Sequence, residues 1–335
     1  MEILERYVAV DNKCAWPNLT LMPDGALVAT IFGEPTHGRW EGDAECWVSR
    51  DDGRVWSFLG VPAPHKKGTN RMNVAAGLTR SGVFVVLCSG YTNIPPRPPL
   101  GEPGELYEGT GLEPWVCRSE DGGKSWTQTR GLTIPSQLSH AVPFGDIIQL
   151  TDNHLAVSCY SLHSDDKDRC SAWIFFSEDD GRTWGNSCPI AVGNYDETGL
   201  LYLGDGRLLA ASRTNCPHPL LEIFVSEDNG QTWTCRGPVS LPGQIPAHLC
   251  RLKDGRILLS YGVRNPGMLG VCARVSCDGS LTWSAPLVLF STDYVDGGYP
   301  SSVQMGDGTI VTAYYCASIP MHRRYHMGIV RWKLD

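Results

Sequence analysis

Apolar residues recur along the chain in short runs, each entered through a small polar turn. Asp24-Gly25, Ser81-Gly82, Asp152-Asn153, Asp205-Gly206, Asp254-Gly255 and Asp307-Gly308 introduce these runs, as in DGALVATIF, DGRLLAASR, DGRILLSYG and DGTIVTAYY. They read as strands leaving tight turns. The turns stand 57, 71, 53, 49 and 53 residues apart, which suits one four-stranded blade per interval, with insertions in the longer ones.

A second repeat runs out of phase with the first. Ser-x-Asp-x-Gly-x-x-Trp occurs at Ser49 to Trp56, Ser119 to Trp126, Ser177 to Trp184 and Ser226 to Trp233, and a fifth copy, Ser276 to Trp283, has its glycine displaced by one place. The chemistry is that of a hairpin: Asp accepts bonds from turn amides, Gly takes the positive φ, and Trp packs between strands. These residues are scaffold. Together the two repeats predict an all-β, six-bladed β-propeller in which residues 1–335 form a single domain. The last unit has no box and ends at GIVRWKLD after three expected strands, so residues 3–10 are expected beside residues 328–334, removing two sheet edges. The irregular insertion Asn93 to Glu113 becomes a loop over one face, not a linker.

Composition agrees with a turn-rich globular protein: 42% hydrophobic, 19% charged, Gly 37 and Pro 23. With a net charge of −8 and no basic block, the chain has no electrostatic footprint for nucleic acid or an anionic membrane. The N-terminus MEILERYVAVDNKCAW lacks the layout of a secretory signal, and no stretch approaches the ~18 apolar residues of a span, so a cytoplasmic location is expected. The 13 cysteines are scattered, often inside apolar runs, and read as reduced, buried thiols; none has zinc spacing. Neither metal nor cofactor is expected.

The boxes and their spacing resemble the sialidase superfamily over essentially the whole length. The boxes specify fold far more than function, so function must come from the site. In such a propeller the innermost strand of each blade starts near the central channel. Counting eight residues back from each turn gives Trp16, Asn73, Phe144, Glu197, Pro246 and Tyr299.

The resemblance implies roles for several residues. Tyr299, in Gly-Tyr-Pro-Ser, resembles the nucleophilic tyrosine that begins the last blade, and Glu197, in Asp-Glu-Thr-Gly, resembles its glutamate partner. A neutral tyrosine avoids the repulsion that a carboxylate nucleophile would meet at an anomeric carbon bearing an acid group. Arg213 and Arg264 resemble two members of the carboxylate-binding arginine triad, to which planar guanidinium forks are suited. An acid/base is expected in the loop from Gly33 to Ala44, where Asp43 is the best positional match and Glu34 and His37 are rivals.

The match breaks at the first triad arginine, where the segment reads Cys14-Ala15-Trp16-Pro17 and Trp16 occupies the position. Tryptophan stacks on a sugar face but does not bind a carboxylate. Arg71 is the candidate for a displaced charge. His140 and His248, each at the head of an inner strand, are outside the comparison and are candidates for binding sugar hydroxyls or for the base of a lyase. The leading expectation is a sialidase-like exo-glycosidase that removes a terminal acidic sugar with retention, the partner being a glycan. A glycan-binding propeller without catalysis, and a polysaccharide lyase using Tyr and His, stay open.

Overall fold

The computed structural model describes residues 1–13, 16–98, 109–151, 154–162, 164, 166, 169–318 and 324–334. The turn at Asp152-Asn153 and residues 99–108 of the insertion lie outside them. The described residues contain strands and turns but no α-helix.

The N-terminal strand β1 (Glu2–Asp11) stands apart from the strands that follow it in sequence. Next come β2 (Asn18–Leu21), β3 (Leu27–Phe32), β4 (Ala44–Ser49) and β5 (Ser57–Ala63), an antiparallel sheet in sequence order. The strands β6 (Asn73–Leu78), β7 (Phe84–Tyr91), β8 (Gly111–Ser119) and β9 (Thr127–Thr129) repeat the pattern, as do β10 (Val142–Gln149), β11 (Leu155–Leu162), β12 (Cys170–Ser177) and β13 (Gly185–Val192). A short parallel contact, Gly145 with Ala75 and Asp146 with Ala76, joins these two groups into one eight-stranded sheet. Two more four-stranded sheets are β14 (Tyr195–Gly204), β15 (Arg207–Thr214), β16 (Leu221–Ser226) and β17 (Thr234–Pro238), then β18 (Gln244–Arg251), β19 (Ile257–Val263), β20 (Gly270–Ser276) and β21 (Leu287–Ser291). The last sheet holds β22 (Gly297–Gln304), β23 (Ile310–Cys316) and β24 (His326–Lys333), with β1 antiparallel to β24 through pairs such as Ile3 with Trp332 and Tyr7 with Ile329.

The turns show why the chain breaks into strands where it does. Gly25 sits at φ +87, a region closed to most L-residues, while Asp24 Oδ1 accepts from Ala26 N–H at 3.1 Å. Asp254 and Asp307 cap their turns in the same way, on Arg256 N–H at 3.0 Å and Thr309 N–H at 2.9 Å.

Each box at the opposite turn is a closed set of bonds. In the first, Ser49 Oγ donates to Asp51 Oδ1 at 2.7 Å, Gly53 N–H donates to Ser49 Oγ at 2.9 Å, Val55 N–H donates to Asp51 Oδ1 at 2.9 Å, and Trp56 Nε1–H donates to Gly53 O at 3.1 Å. The degenerate fifth box keeps the serine and aspartate bonds, but Ser280 takes the position of the glycine at φ +73.

Packing brings the inner strands together. Successive inner strands touch, β2 with β6, β6 with β10, β10 with β14, β14 with β18 and β18 with β22, and β22 returns to β2. Between them, almost every inward residue of β3, β7, β12, β19 and β23 is buried. The 12 described cysteines are unpaired thiols, seven of them buried among these apolar faces.

Candidate active site

The heads of the inner strands enclose a cavity of about 330 Å³, and Trp16, Asn73, Phe144, Glu197, Pro246 and Tyr299 all line it. Local irregularity aims three of them. Regular pairing lapses between Tyr195 and Thr198 in β14, between Gln244 and Ala247 in β18, and between Gly298 and Ser301 in β22. Bulges of this kind re-aim side chains at the ends of strands, and Glu197, Pro246 and Tyr299 fall within them. Gly298, at φ +103, lies so close to β19 that an added Cβ would be 2.9 Å from Gly262 Cα. Trp16 and Tyr299 themselves have φ of 56° and 50°. Such conformations are costly for large side chains and collect at functional sites.

Tyr299 Oη donates to Glu197 Oε1 at 2.6 Å, and Arg213 Nη1 contacts Glu197 Oε2 at 2.5 Å and Tyr299 Oη at 3.5 Å. Arg213 Nε also lies 3.5 Å from Asp196 Oδ1, which accepts the Glu197 N–H at 2.7 Å. Burial, and then the charge of Glu197, push the Tyr299 phenol well above its usual range, against the pull of Arg213 and Arg264. Tyr299 is therefore a neutral phenol with a carboxylate positioned to take its proton. Burial, and next the neighbouring Glu197 charge, raise Asp196 to about 7, so this pair of carboxyls resists carrying two charges. Arg264 stands on the other side, its Cζ 5.7 Å from the centre of the Tyr299 ring and its buried Nε without a hydrogen-bond partner. Both guanidinium groups thus pack against Tyr299, and neither arginine is among the residues that line the cavity.

The facing wall is aromatic. Trp16 meets His37 edge-on at 4.8 Å between ring centres, and lies 6.1 Å from Tyr299 and 6.2 Å from Tyr315. His37 lines the cavity and its Nδ1 lies 3.2 Å from Asp296 Oδ1. His248 also lines the cavity: its Nε2 lies 3.1 Å from Asp146 Oδ2, its Nδ1 accepts Ser302 N–H at 3.3 Å, and Asn18 Nδ2 donates to Asp146 Oδ1 at 2.8 Å. These four residues tie β2, β10, β18 and β22 together across the centre. Both ring nitrogens of His248 are used in doing so.

Other expected site residues lie elsewhere. Asp43 is outside the lining, its carboxylate held by the backbone N–H of His65 at 2.7 Å and by His65 Nδ1 at 2.5 Å. Glu34 is likewise outside, 3.5 Å from Arg97 Nη1, and burial raises its carboxyl. Arg71 is stacked under Trp115, 3.8 Å from the ring centre, with Nη1 donating to Glu113 O at 3.1 Å, so it braces a strand and supplies no charge to the cavity. His140 also stays outside the lining; its Nδ1 bonds Ser139 Oγ at 2.7 Å and burial lowers its basicity. Sequence reasoning left out Asp146, Asp296, Tyr91 and Tyr160, which have no repeat position to mark them. Asp296 carried one usable signal, an acidic residue three places ahead of the strand-head tyrosine. Among the described residues no cluster of His, Cys, Asp and Glu could hold a metal ion.

Comparison with known proteins places this arrangement. A sialidase from Micromonospora viridifaciens is 28% identical over 232 residues, 62% of this chain, a match that spans 35% of the bacterial protein. A solved protein of unknown function from Dyadobacter fermentans is 23% identical with a TM-score of 0.83, each chain covered to 99%. The Hadza microbial sialidase Hz136 is 19% identical with a TM-score of 0.74, covering 98% of this chain and 68% of that one. At such identities these structures establish the shared fold. The model of the BNR repeat-like domain matches residues 106–312, and with the box geometry above, the chain belongs to that family within the sialidase-like superfamily.

Proposed function

We propose that residues 1–335 form a single six-bladed propeller, closed where β1 joins β24, and that its central cavity hydrolyses a terminal, acidic glycoside with retention. One observation carries the chemistry: Tyr299 Oη lies 2.6 Å from Glu197 Oε1 while Arg213 steadies the other carboxylate oxygen. A lone buried tyrosine needs only a carbonyl partner, and a binding protein has no use for a base on its phenol. The ring of contacts from β2 to β22 and back supports the blade count.

In this reading Glu197 Oε1 takes the phenolic proton as Tyr299 Oη attacks the anomeric carbon, which answers the raised basicity that burial gives the phenolate. Arg213 balances the charge on Glu197 before transfer and that on Tyr299 Oη as it develops. Arg264, with Nε unpartnered beside the same ring, is the candidate anchor for the acid group of the sugar. The lyase reading loses the two histidines expected as its base, since His248 has both nitrogens engaged and His140 is outside the cavity.

A panel of aryl glycosides of sialic acid, related keto-acid sugars, uronic acids and neutral sugars tests the proposal by chromophore release. Turnover of an acidic member, with a fluorinated analogue adding one glycosyl mass to the peptide holding Tyr299, is the expected result. Trp16, a stacking surface where the resemblance calls for an arginine, favours a second reading as a glycan-binding propeller. Glycan binding by calorimetry with no turnover across the panel would establish that alternative.

A further inference from the structure

The loop from Gly33 to Asp43 delivers a histidine, not a carboxylate, to the cavity. His37 lies in the lining with Trp16 and Tyr299, while Asp43 is turned away onto His65. Trp16 and Tyr315 each contact both His37 and Tyr299, with ring-centre separations of 4.8 Å and 6.1 Å for Trp16 and 6.3 Å and 5.7 Å for Tyr315. The two reactive rings therefore face one space from neighbouring walls.

Asp296 sets the direction of the imidazole. Its carboxylate lies 3.2 Å from His37 Nδ1, accepts Tyr315 Oη–H at 2.6 Å and also accepts the Tyr325 hydroxyl. Burial raises this carboxyl, but the bonds from His37, Tyr315 and Tyr325 outweigh it and hold the group well below the usual carboxylate range. An ionised carboxylate only accepts, so the contact places a proton on His37 Nδ1. Nε2 is then the nitrogen able to exchange a proton; it bonds no described residue, and the side chain is 42% exposed.

We propose that His37, oriented by Asp296, is the proton donor and acceptor of the glycosidase reaction, a role that rests on the hydrolase reading above. In the first half-reaction the bond from Tyr299 Oη to the anomeric carbon forms as the bond to the leaving oxygen breaks. That oxygen takes the Nε2 proton of the doubly protonated His37 imidazolium, which leaves the neutral ring with its proton on Nδ1, and the phenolic proton passes to Glu197. In the second half-reaction water gives a proton to Nε2 and its oxygen to the anomeric carbon, and the departing Tyr299 recovers its proton from Glu197. The sum is glycoside plus water giving sugar plus alcohol. Asp296 touches no reacting atom and is a positioning residue.

The test compares two aryl glycosides of the sugar the wild-type protein turns over, one with a 2,4-dinitrophenyl and one with a phenyl leaving group. His37→Gln should lose about 10²- to 10⁴-fold in kcat/KM on the phenyl glycoside, the usual worth of a positioned acid, and keep the dinitrophenyl value within about tenfold because that leaving group needs no proton. Azide should then raise kcat on the dinitrophenyl substrate and yield a glycosyl azide. Independently of turnover, the ¹⁵N spectrum of neutral His37 should show Nδ1 protonated and Nε2 bare. Asp296→Asn should lose that tautomer together with about tenfold or more of the phenyl activity, as when the carboxylate orienting a catalytic histidine is replaced. Equal losses on both leaving groups, no loss, or a bare Nδ1 in the wild type would overturn the assignment and leave the hydrolase reading standing. A wild type that turns over no glycoside at all removes both.

Discussion

The boxes on the rim and the strand heads at the centre are both repeated, yet they behave oppositely. Five boxes carry the same serine, aspartate and tryptophan, with the serine–aspartate bonds in all five and the indole bond in the first four, whereas the six heads carry Trp16, Asn73, Phe144, Glu197, Pro246 and Tyr299, all different. The box bonds join residues two to four apart in sequence, so each box is complete within its own turn. The bond between Tyr299 and Glu197 joins residues 102 apart and exists only once several sheets have assembled. Uniformity therefore marks what holds a sheet together, and difference marks what the assembled ring can do.

This contrast is sharpest in mutational effects. Tyr299→Phe and Glu197→Gln should each lower kcat by roughly 10³- to 10⁶-fold, with the double variant little worse than either, because residues acting as a unit lose activity together. The thermal transition of both should remain close to that of the wild type; a large fall would make the pair scaffold. Trp184, 2% exposed in the third box, should behave in reverse: Trp184→Ala costs about 3–5 kcal/mol in urea unfolding while folded molecules keep their kcat. Loss of turnover in the folded fraction would erase the distinction between rim and centre.

A third test uses pH. Asp196 is raised in the folded state to about 7 from 3.8, so its contribution to stability is fully present below about 3.8 and is lost as pH rises through 7. Asn keeps the acceptor for the Glu197 N–H but has no proton to lose. Relative to wild type, Asp196→Asn should gain stability between pH 4 and pH 8 by on the order of 2–4 kcal/mol, read from urea midpoints at each pH. A constant difference would mean that Asp196 is ionised throughout. The smallest effect belongs to the degenerate box, where Ser280 holds φ +73. Ser280→Gly should stabilise by about 1 kcal/mol by removing a left-handed non-glycine residue, whereas Gly53→Ala at φ +81, with Val311 Cγ1 3.0 Å from the added Cβ, should destabilise.

By itself the sequence determined what depends on neighbours along the chain. The glycine and aspartate turns and the boxes are local bonds, so their spacing was enough to give an all-β repeat protein and to single out the residues at each strand head. It also named Tyr299 with Glu197, through likeness to a family, and marked Trp16 as a departure. Which loop group reaches the cavity was decided only in three dimensions. Asp43 and His37 share one loop, but His65 captures the first and Asp296, 259 residues from His37, orients the second. Arg71 reads as a free cation until Trp115 packs over it, and the bulges that aim Glu197 and Tyr299 arise from register between strands. Contacts of that kind follow from how sheets pack around a common centre, and no stretch of sequence contains both partners.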